Sequence, residues 1–380
     1  MVTPHFPGEG EAGSERVEAL ARIPLLVRAA RRFRVPARRS GRSSSADQPP
    51  PHRWTAAYRL VDWATQLLLG GVALLLVTFR HQAPAQWPWI VAGHLFLMAA
   101  VHGLVTAVAR GSANPAVRFL REAYPILFYT LFFRETELVN RTVGNPRLDP
   151  HFLVLEHQLF GTQPSVALMN ALPQLWVSEI LYASYFSYYV MVAGLGLWLL
   201  WRNRAAFHHF ISVVTFVFYG CYVFYMAVPV IGPRLLFRPS PEREWYAATY
   251  AGLPPPAYPD AVQHGPFYHL MAFIYRHFEA MSAAFPSSHV AVAVTTLWFS
   301  WRYARPIRWV HAVMVVLLCV STVYCHYHYA VDVPAGVLAA LMLIPLGNWL
   351  YLRCDLAGGR TADIGSDPLP PGLRPPSAFK

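Results

Sequence analysis

Residues 286–351 read PSSHVAVAVTTLWFSWRYARPIRWVHAVMVVLLCVSTVYCHYHYAVDVPAGVLAALMLIPLGNWLY. This stretch contains three apolar runs, at 286–302, 308–326 and 329–351, separated by short connections. Each run approaches the roughly 20 residues that an α-helix needs to cross the apolar core of a bilayer. The stretch therefore predicts three membrane-spanning helices in succession.

The composition of the whole chain agrees with a membrane protein. Of 380 residues, 55% are hydrophobic and only 13% are charged, about half the charged share of a soluble domain. The net charge of +11 comes from arginines at the ends of apolar runs and near the N-terminus. Membrane topology explains that pattern better than nucleic-acid binding, so we expect no nucleic-acid partner.

Outside residues 286–351, five more apolar runs predict membrane spans, at 60–80, 88–109, 117–134, 177–201 and 208–230. The third of these is the weakest, because charged residues flank a short apolar run. Residues 148–175 have mixed polarity and predict an interfacial helix and a loop. Residues 235–285 predict a long loop rich in proline and tyrosine, and the tails 1–52 and 353–380 have the composition of disordered segments.

Arginine positions predict the orientation in the membrane. With eight spans, the arginine-bearing loops share one face, which the positive-inside rule makes cytoplasmic. These loops carry Arg202, Arg204, Arg302, Arg305, Arg308 and Arg353. Both termini are then cytoplasmic, and 148–175 and 235–285 lie on the opposite side. Abundant arginine with a single lysine, Lys380, indicates a GC-rich coding bias, which favours a bacterial plasma membrane.

Three short elements at the extracytoplasmic ends of these spans carry residues suited to chemistry. They are Pro229-Val-Ile-Gly-Pro-Arg234, Phe285-Pro-Ser-Ser-His289 and His326-Tyr-His-Tyr-Ala-Val-Asp332. Taken singly, each is better explained as a helix cap or an interfacial anchor. Their common placement on one membrane face instead predicts a single catalytic site.

The residue types in these elements suit phosphoryl transfer. His328 and Asp332 are four residues apart, so on a helix they share a face and the carboxylate fixes the tautomer of the imidazole, leaving the other ring nitrogen free to attack phosphorus. His289 is placed to protonate the leaving oxygen.

The same elements offer groups that bind phosphate oxygens. Arg234 presents a planar fork, and Ser287 and Ser288 lie at a helix N-terminus where free N–H groups attract an anion. This arrangement requires neither a metal nor an organic cofactor.

The three elements resemble the signature of the type 2 phosphatidic acid phosphatase superfamily, which is a Lys/Arg–Pro element, then Pro-Ser-x-His, then Ser-Arg-x5-His-x3-Asp. Leu155-Glu-His-Gln-Leu-Phe-Gly-Thr-Gln-Pro164, Tyr185-Phe-Ser-Tyr-Tyr189 and Gly232-Pro-Arg234 look like the branch of fungal inositol phosphorylceramide synthase and related bacterial proteins. His328-Tyr-Ala-Val-Asp-Val333 is similar to the corresponding element of sphingomyelin synthases.

The resemblance covers about residues 117–351. It implies an all-α polytopic membrane protein with a six-helix phosphatase-like core at 117–352, preceded by two extra helices within 53–116. It also implies His328 as nucleophile through a phosphohistidine, His289 as general acid and Asp332 as the orienting partner.

The chain departs from the superfamily pattern at two phosphate-binding cations. The lysine of the first motif has no equivalent, and the arginine of the third motif falls on Thr322. A site with fewer cations favours a phosphodiester over a dianionic monoester. We therefore slightly favour a transferase. The lipid substrate stays open among phosphatidic acid, a polyprenyl pyrophosphate, and a phosphatidylinositol donor with a ceramide-like acceptor.

Two other classes of function remain open at this point. One is a metal-dependent membrane hydrolase with His289, His326, His328 and Asp332 as ligands. The other is a lipid carrier or transporter that keeps the fold without the chemistry. His326 is favoured as an interfacial histidine, and the aromatic run Tyr182–Tyr189 as packing.

Overall fold

The computed structural model describes residues 57–144, 146–250, 256–278 and 283–356. Its α-helices are α1 (Leu60–Thr78), α2 (Trp87–Ala109), α3 (Pro115–Val143), α4 (Asp149–Phe160), α5 (Pro164–Ala171), α6 (Leu175–Arg202), α7 (Arg204–Ala227), α8 (Pro241–Thr249), α9 (Asp260–Gln263), α10 (Pro266–Phe278), α11 (Ser288–Tyr303), α12 (Arg308–Tyr324) and α13 (Asp332–Tyr351). Short 3₁₀-helices lie at Pro233–Phe237 and Arg305–Ile307, and a π-helical turn at Leu352–Leu356 extends α13. The predicted all-α class is confirmed. The predicted tail 1–52 and residues 357–380 lie outside the described residues.

Six segments of the described chain are long and apolar enough to cross a membrane. They are Leu60–Thr78, Trp87–Ala109, Leu175–Arg202, Arg204–Ala227, Arg305–Tyr324 and Asp332–Asp355. The protein is therefore a multi-pass integral membrane protein.

The other two predicted spans, 117–134 and 286–302, also form helices but differ from these six. Helix α3 has 29 residues and buries charged side chains among them, including Arg121, which pairs with Asp62 of α1 at 2.5 Å. Helix α11 has only 16 residues and packs against α6, α7, α12 and α13. Because α3 contains charged residues and α11 is short, neither helix meets the length and hydropathy criteria that the other six segments meet.

The region between α7 and α11 corrects the prediction of a long loop at 235–285. It contains the 3₁₀-helix Pro233–Phe237 and helices α8, α9 and α10. Proline stands at the first position of α8, of α10 and of the 3₁₀-helix, where its fixed φ starts a helix instead of breaking one. Three prolines of this region therefore mark helix starts, namely Pro233, Pro241 and Pro266.

Chain direction brings the three sequence elements to one end of the bundle. Helix α7 ends just before Pro229, and α11 begins at Ser288. Helix α12 ends before His326, and α13 begins at Asp332. The arginine-rich connections between α6 and α7 and between α11 and α12 consequently lie at the opposite end.

Candidate active site

Backbone hydrogen bonds join the three loops that carry the sequence elements. Each loop donates to or accepts from another, so the three loops form one hydrogen-bonded unit. The bonds run from Arg234 N–H to the His326 carbonyl (2.9 Å), from Ala284 N–H to the Val230 carbonyl (2.8 Å) and from Ser287 N–H to the Asp332 carbonyl (3.2 Å).

Two glycines allow this close approach. Gly232 has φ 101°, and a Cβ on it would lie 2.6 Å from the Tyr327 carbonyl oxygen. A Cβ on Gly336 of α13 would lie 2.6 Å from the Ser287 carbonyl oxygen. Any larger residue at either position would push one loop of the site away from another.

The two histidines and the aspartate form a hydrogen-bonded line. His328 Nδ1 lies 2.9 Å from the Ala284 carbonyl oxygen and 3.3 Å from Asp332 Oδ2, and His328 Nε2 lies 3.3 Å from His289 Nδ1. A carbonyl only accepts, so Nδ1 of His328 carries the proton and Nε2 presents its lone pair. Asp332 Oδ2 is fixed in turn by the Tyr329 N–H at 2.8 Å.

Donor and acceptor roles can also be assigned to the hydrogen bonds beyond His289. Since Nε2 of His328 accepts, Nδ1 of His289 donates, which leaves Nε2 of His289 as an acceptor. Tyr185 Oη lies 3.0 Å from this Nε2, and Tyr185 Oη is hydrogen-bonded to Tyr275 Oη. One consistent assignment therefore runs from the Tyr275 hydroxyl through Tyr185 and His289 to His328 with both imidazoles neutral.

Burial supports the neutral form of the proposed nucleophile. His328 is only 1% exposed, and burial lowers the pKa of its imidazole to about 3, opposed by the hydrogen bond to Ala284 and assisted by the charge of Arg234. The Nε2 lone pair is thus available throughout the neutral pH range.

Arg234 stands beside this line. Its guanidinium carbon lies 5.3 Å from the centre of the Tyr275 ring, a cation–π arrangement. Its charge also acts on His328. The structure therefore places the predicted phosphate-binding cation next to the histidine pair.

The serines at the start of α11 are engaged within the protein. Ser287 is the N-cap, and its Oγ accepts from the Val290 N–H at 3.3 Å. The Ser288 N–H donates to Tyr225 Oη at 3.0 Å. Of the N–H groups predicted to bind phosphate, those of Ser287 and Ser288 already have protein acceptors, which leaves less of the helix N-terminus for a ligand than the sequence suggested.

Helix α10 covers the site. Tyr275 of α10 stacks on Tyr327 with ring centres 3.7 Å apart and planes 4° from parallel. Together with the Tyr185 hydroxyl, this stack closes the space around His289.

His326 points away from the histidine pair. Its ring stacks on Phe237 at 3.9 Å, and its Nε2 lies 3.1 Å from Met169 Sδ. The ligand set of the metal-hydrolase alternative therefore does not converge. Within the described ranges no group of three or more His, Cys, Asp or Glu side chains is arranged to hold a metal ion.

Thr322 occupies the position of the third-motif arginine. It is fully buried, and its hydroxyl donates to the Cys319 carbonyl. Its own carbonyl accepts from the N–H groups of Tyr327 and His328. Thr322 thus holds the backbone before the nucleophile rather than a phosphate oxygen.

Sequence reasoning missed three polar residues around the site. Tyr185 was assigned to packing, and its only signal was membership of an aromatic run next to a polar helix start. Asp149 accepts from the N–H groups of Ile231 and Gly232, and Glu156 from those of Ala330 and Val331. The sequence feature that could have indicated Asp149 and Glu156 is their spacing, two acidic residues seven positions apart in an otherwise apolar segment.

The protein combines membrane-spanning helices with a histidine pair, a carboxylate and an arginine at one end of the bundle. This combination is typical of a phosphatase-like membrane protein. The family model of the PAP2 superfamily matches residues 151–346, more than half of the chain, and this range contains Arg234, His289, His328 and Asp332. The chain belongs to the PAP2 superfamily. A comparison with curated proteins and one with solved structures find no match, so the comparisons give no support to the inositol phosphorylceramide synthase branch.

Proposed function

We propose that the protein cleaves or transfers the phosphate group of a membrane lipid through a phosphohistidine on His328. One observation carries the proposal: Nδ1 of His328 is held by Ala284 and Asp332, while its Nε2 lone pair faces His289. Family membership supports phosphatase or phosphotransferase chemistry in general.

In the first step, Nε2 of His328 attacks phosphorus and the bond from phosphorus to the lipid oxygen breaks. His289, neutral in the free site, takes up a proton from water when the anionic phosphate binds beside it, because the nearby negative charge favours the imidazolium. His289 then gives this proton to the leaving oxygen. In the second step, water or a lipid hydroxyl attacks the phosphohistidine and gives its proton to His289. His289 releases that proton to water when the product leaves, so both histidines return to the neutral pair and protons balance over the cycle.

The distance between the two rings sets a condition on substrate binding. In-line displacement puts the phosphorus between the nucleophile and the leaving oxygen, but His328 Nε2 and His289 Nδ1 lie only 3.3 Å apart. Substrate binding must therefore separate the rings. Because Tyr185 holds His289 and Tyr275 of α10 holds Tyr185, a shift of α10 is the simplest way to release His289.

Exposed apolar side chains around the site support a lipid as the substrate. On α10, Phe273 and Phe278 are 57% and 53% exposed, and on α4, Leu159 and Phe160 are 59% and 51% exposed. These helices lie at the same end of the bundle as the histidines. Acyl chains would cover such surfaces while the headgroup reaches the site.

Among the described residues, Arg234 is the arginine beside the histidine pair, and this supports transfer from a phosphodiester donor, as in an inositol phosphotransferase. With Thr322 in place of a second cation, the site neutralises one negative charge better than two. Phosphatidic acid and polyprenyl pyrophosphate are the monoester and pyrophosphate alternatives.

The decisive experiment incubates the purified protein with each lipid phosphate, with and without a hydroxylated lipid acceptor, and identifies products by mass spectrometry. We expect a dephosphorylated lipid, or a new phosphodiester when the acceptor is present. His328→Asn is the matched control. A wild-type protein that binds these lipids without producing either product would be a carrier, and the proposal would be wrong.

We further propose that the site faces the periplasm or exterior of a bacterial plasma membrane, with both termini cytoplasmic. The positive-inside rule and the arginines at the other end support this orientation. Ala261→Cys on exposed α9 should react with an impermeant thiol reagent on intact cells, in a background lacking the four native cysteines. Arg305→Cys should react only after lysis; the reverse pattern would invert the topology.

A further inference from the structure

Helix α4 presents one buried face to the loops of the site. Asp149, Leu153 and Glu156 are each 0% exposed, and their spacing of four and three residues puts them on one side of the helix. Leu153 packs in a small apolar cluster with Val230 and Tyr329. The opposite side of α4, with His151 and Gln158, is exposed.

Asp149 holds the loop that carries Arg234. Its carboxylate accepts from Ile231 N–H at 3.0 Å, from Gly232 N–H at 3.0 Å and from the Tyr329 hydroxyl at 3.1 Å. Gly232 is two residues before Arg234, and it has φ 101°, so this turn has few ways to relax.

Glu156 holds the loop that carries His328. Its Oε1 accepts from the N–H groups of Ala330 and Val331, the second at 3.3 Å. The preceding N–H, of Tyr329, is bound by Asp332. Three successive N–H groups at the start of α13 are therefore held by two carboxyl groups, one from α4 and one from α13 itself.

We propose that Asp149 and Glu156 are positioning residues of the phosphoryl-transfer site, acting on Arg234 and on His328 respectively. This inference rests on the proposed function and adds that α4 sets the relative placement of cation and nucleophile. An apolar side chain in place of either would preserve packing with Leu153. Two carboxyl groups are instead buried there, at a desolvation cost that the backbone N–H groups offset.

Each truncation should affect a different catalytic group. Asp149→Ala leaves the Ile231 and Gly232 N–H groups without their acceptor, so the Arg234 loop shifts. Glu156→Ala does the same to Ala330 and Val331, next to His328. A displacement of about 1 Å can lower a catalytic rate by about 10²-fold, so we expect losses of about 30- to 100-fold in kcat/KM from each.

The test is a double-mutant cycle with Arg234→Gln, measured on the lipid substrate that the wild type turns over. If Asp149 acts through Arg234, Asp149→Ala should cost less than about 3-fold once Arg234 is replaced by glutamine, because coupled residues are not additive. Glu156→Ala should cost the same factor in both backgrounds. His151→Ala and Gln158→Ala, on the exposed face of α4, are matched controls and should keep wild-type activity.

Conservative variants separate positioning from general stability. Asp149→Asn and Glu156→Gln keep an acceptor oxygen, so we expect them to recover most of the lost activity at a thermal unfolding temperature similar to that of the alanine variants. Equal losses for Asp149→Ala in both backgrounds, or full activity in the alanine variants, would overturn the inference. A wild type without any lipid phosphatase or transferase activity would instead overturn the proposed function.

Discussion

Replacing Asp332 with asparagine should slow the reaction by about 10- to 30-fold, less than the four-residue spacing to His328 alone suggests. In Ser-His-Asp triads the same change costs about 10⁴-fold, because the histidine adopts the wrong tautomer. Here the Ala284 carbonyl lies closer to His328 Nδ1, at 2.9 Å, than Asp332 Oδ2 does, at 3.3 Å. The tautomer should therefore survive the substitution.

What the substitution removes is the negative charge that stabilises the phosphorylated imidazole. A hydrogen bond to a charged group is worth about 1.5–3 kcal/mol, and the 3.3 Å separation is longer than the usual charge-assisted contact of about 2.7–2.9 Å. We therefore take the lower end of that range, about 1.5–2 kcal/mol, which is about 10- to 30-fold in rate.

The assay is single-turnover formation of labelled phosphohistidine by Asp332→Asn and wild type in the same detergent, with thermal unfolding as a folding control. We expect a slower burst of the same amplitude. A loss above about 10⁴-fold in a folded variant would mean that Asp332, not Ala284, fixes the tautomer. A loss below about 2-fold would remove Asp332 from the chemistry altogether.

Three further predictions concern the same site. His328→Ala should abolish turnover and acid-labile labelling of the protein from radiolabelled substrate, since no other group forms the bond to phosphorus. Turnover without label would mean that another group is the nucleophile, and loss of wild-type activity in EDTA would favour the metal-site alternative. His289→Ala should still form the intermediate from a p-nitrophenyl phosphate ester, whose leaving group needs no proton, while turnover of an alkyl ester is lost; equal losses on both esters would contradict the general-acid role. Burial raises the pKa of Glu156 from 4.5 to about 8, with the nearby Asp332 adding to this effect and hydrogen bonds from Ala330 and Val331 opposing it. Between these pH values the folded state binds more protons than the unfolded state, so the stability of the protein falls as the pH rises. Thermal unfolding measured against pH should show this fall in the wild type, and an unchanged slope in Glu156→Gln would refute the prediction.

The parts of the fold that the sequence predicted are those decided by local pattern. All eight predicted apolar runs form helices, six of which are long and apolar enough to cross a membrane, and the motif histidines lie near helix ends that these runs define. Helix α10 was missed because a proline-rich stretch is ambiguous: Pro266 begins a helix only because the residues after it pack on α6. That packing is a tertiary contact which no local pattern reports.

The missed site residues share a physical reason. Tyr185 and His289 are 104 positions apart, and Asp149 and Ile231 are 82 apart. Each contact depends on which face of a helix points into the bundle at the end where the histidines lie. The sequence shows a tyrosine in an aromatic run and an acid in a mixed segment, and both are ordinary at a membrane interface.

The length of α11 links the closed site to its position in the membrane. At about 1.5 Å per residue, its 16 residues span about 24 Å, less than the apolar core of about 30 Å. Near its C-terminal end Arg302 lies over the ring of Trp298, a pairing typical of a membrane interface. If that end lies at one interface, we expect His289, in the first turn, to lie several ångströms below the opposite headgroup level. Tyr185 and Tyr275 of α10 close the space beside His289, and Glu156 of α4 holds the N–H group of Ala330, two residues after His328. The short helix and the buried imidazoles therefore lead us to expect that a lipid phosphate moves below the headgroup level before the histidines act on it.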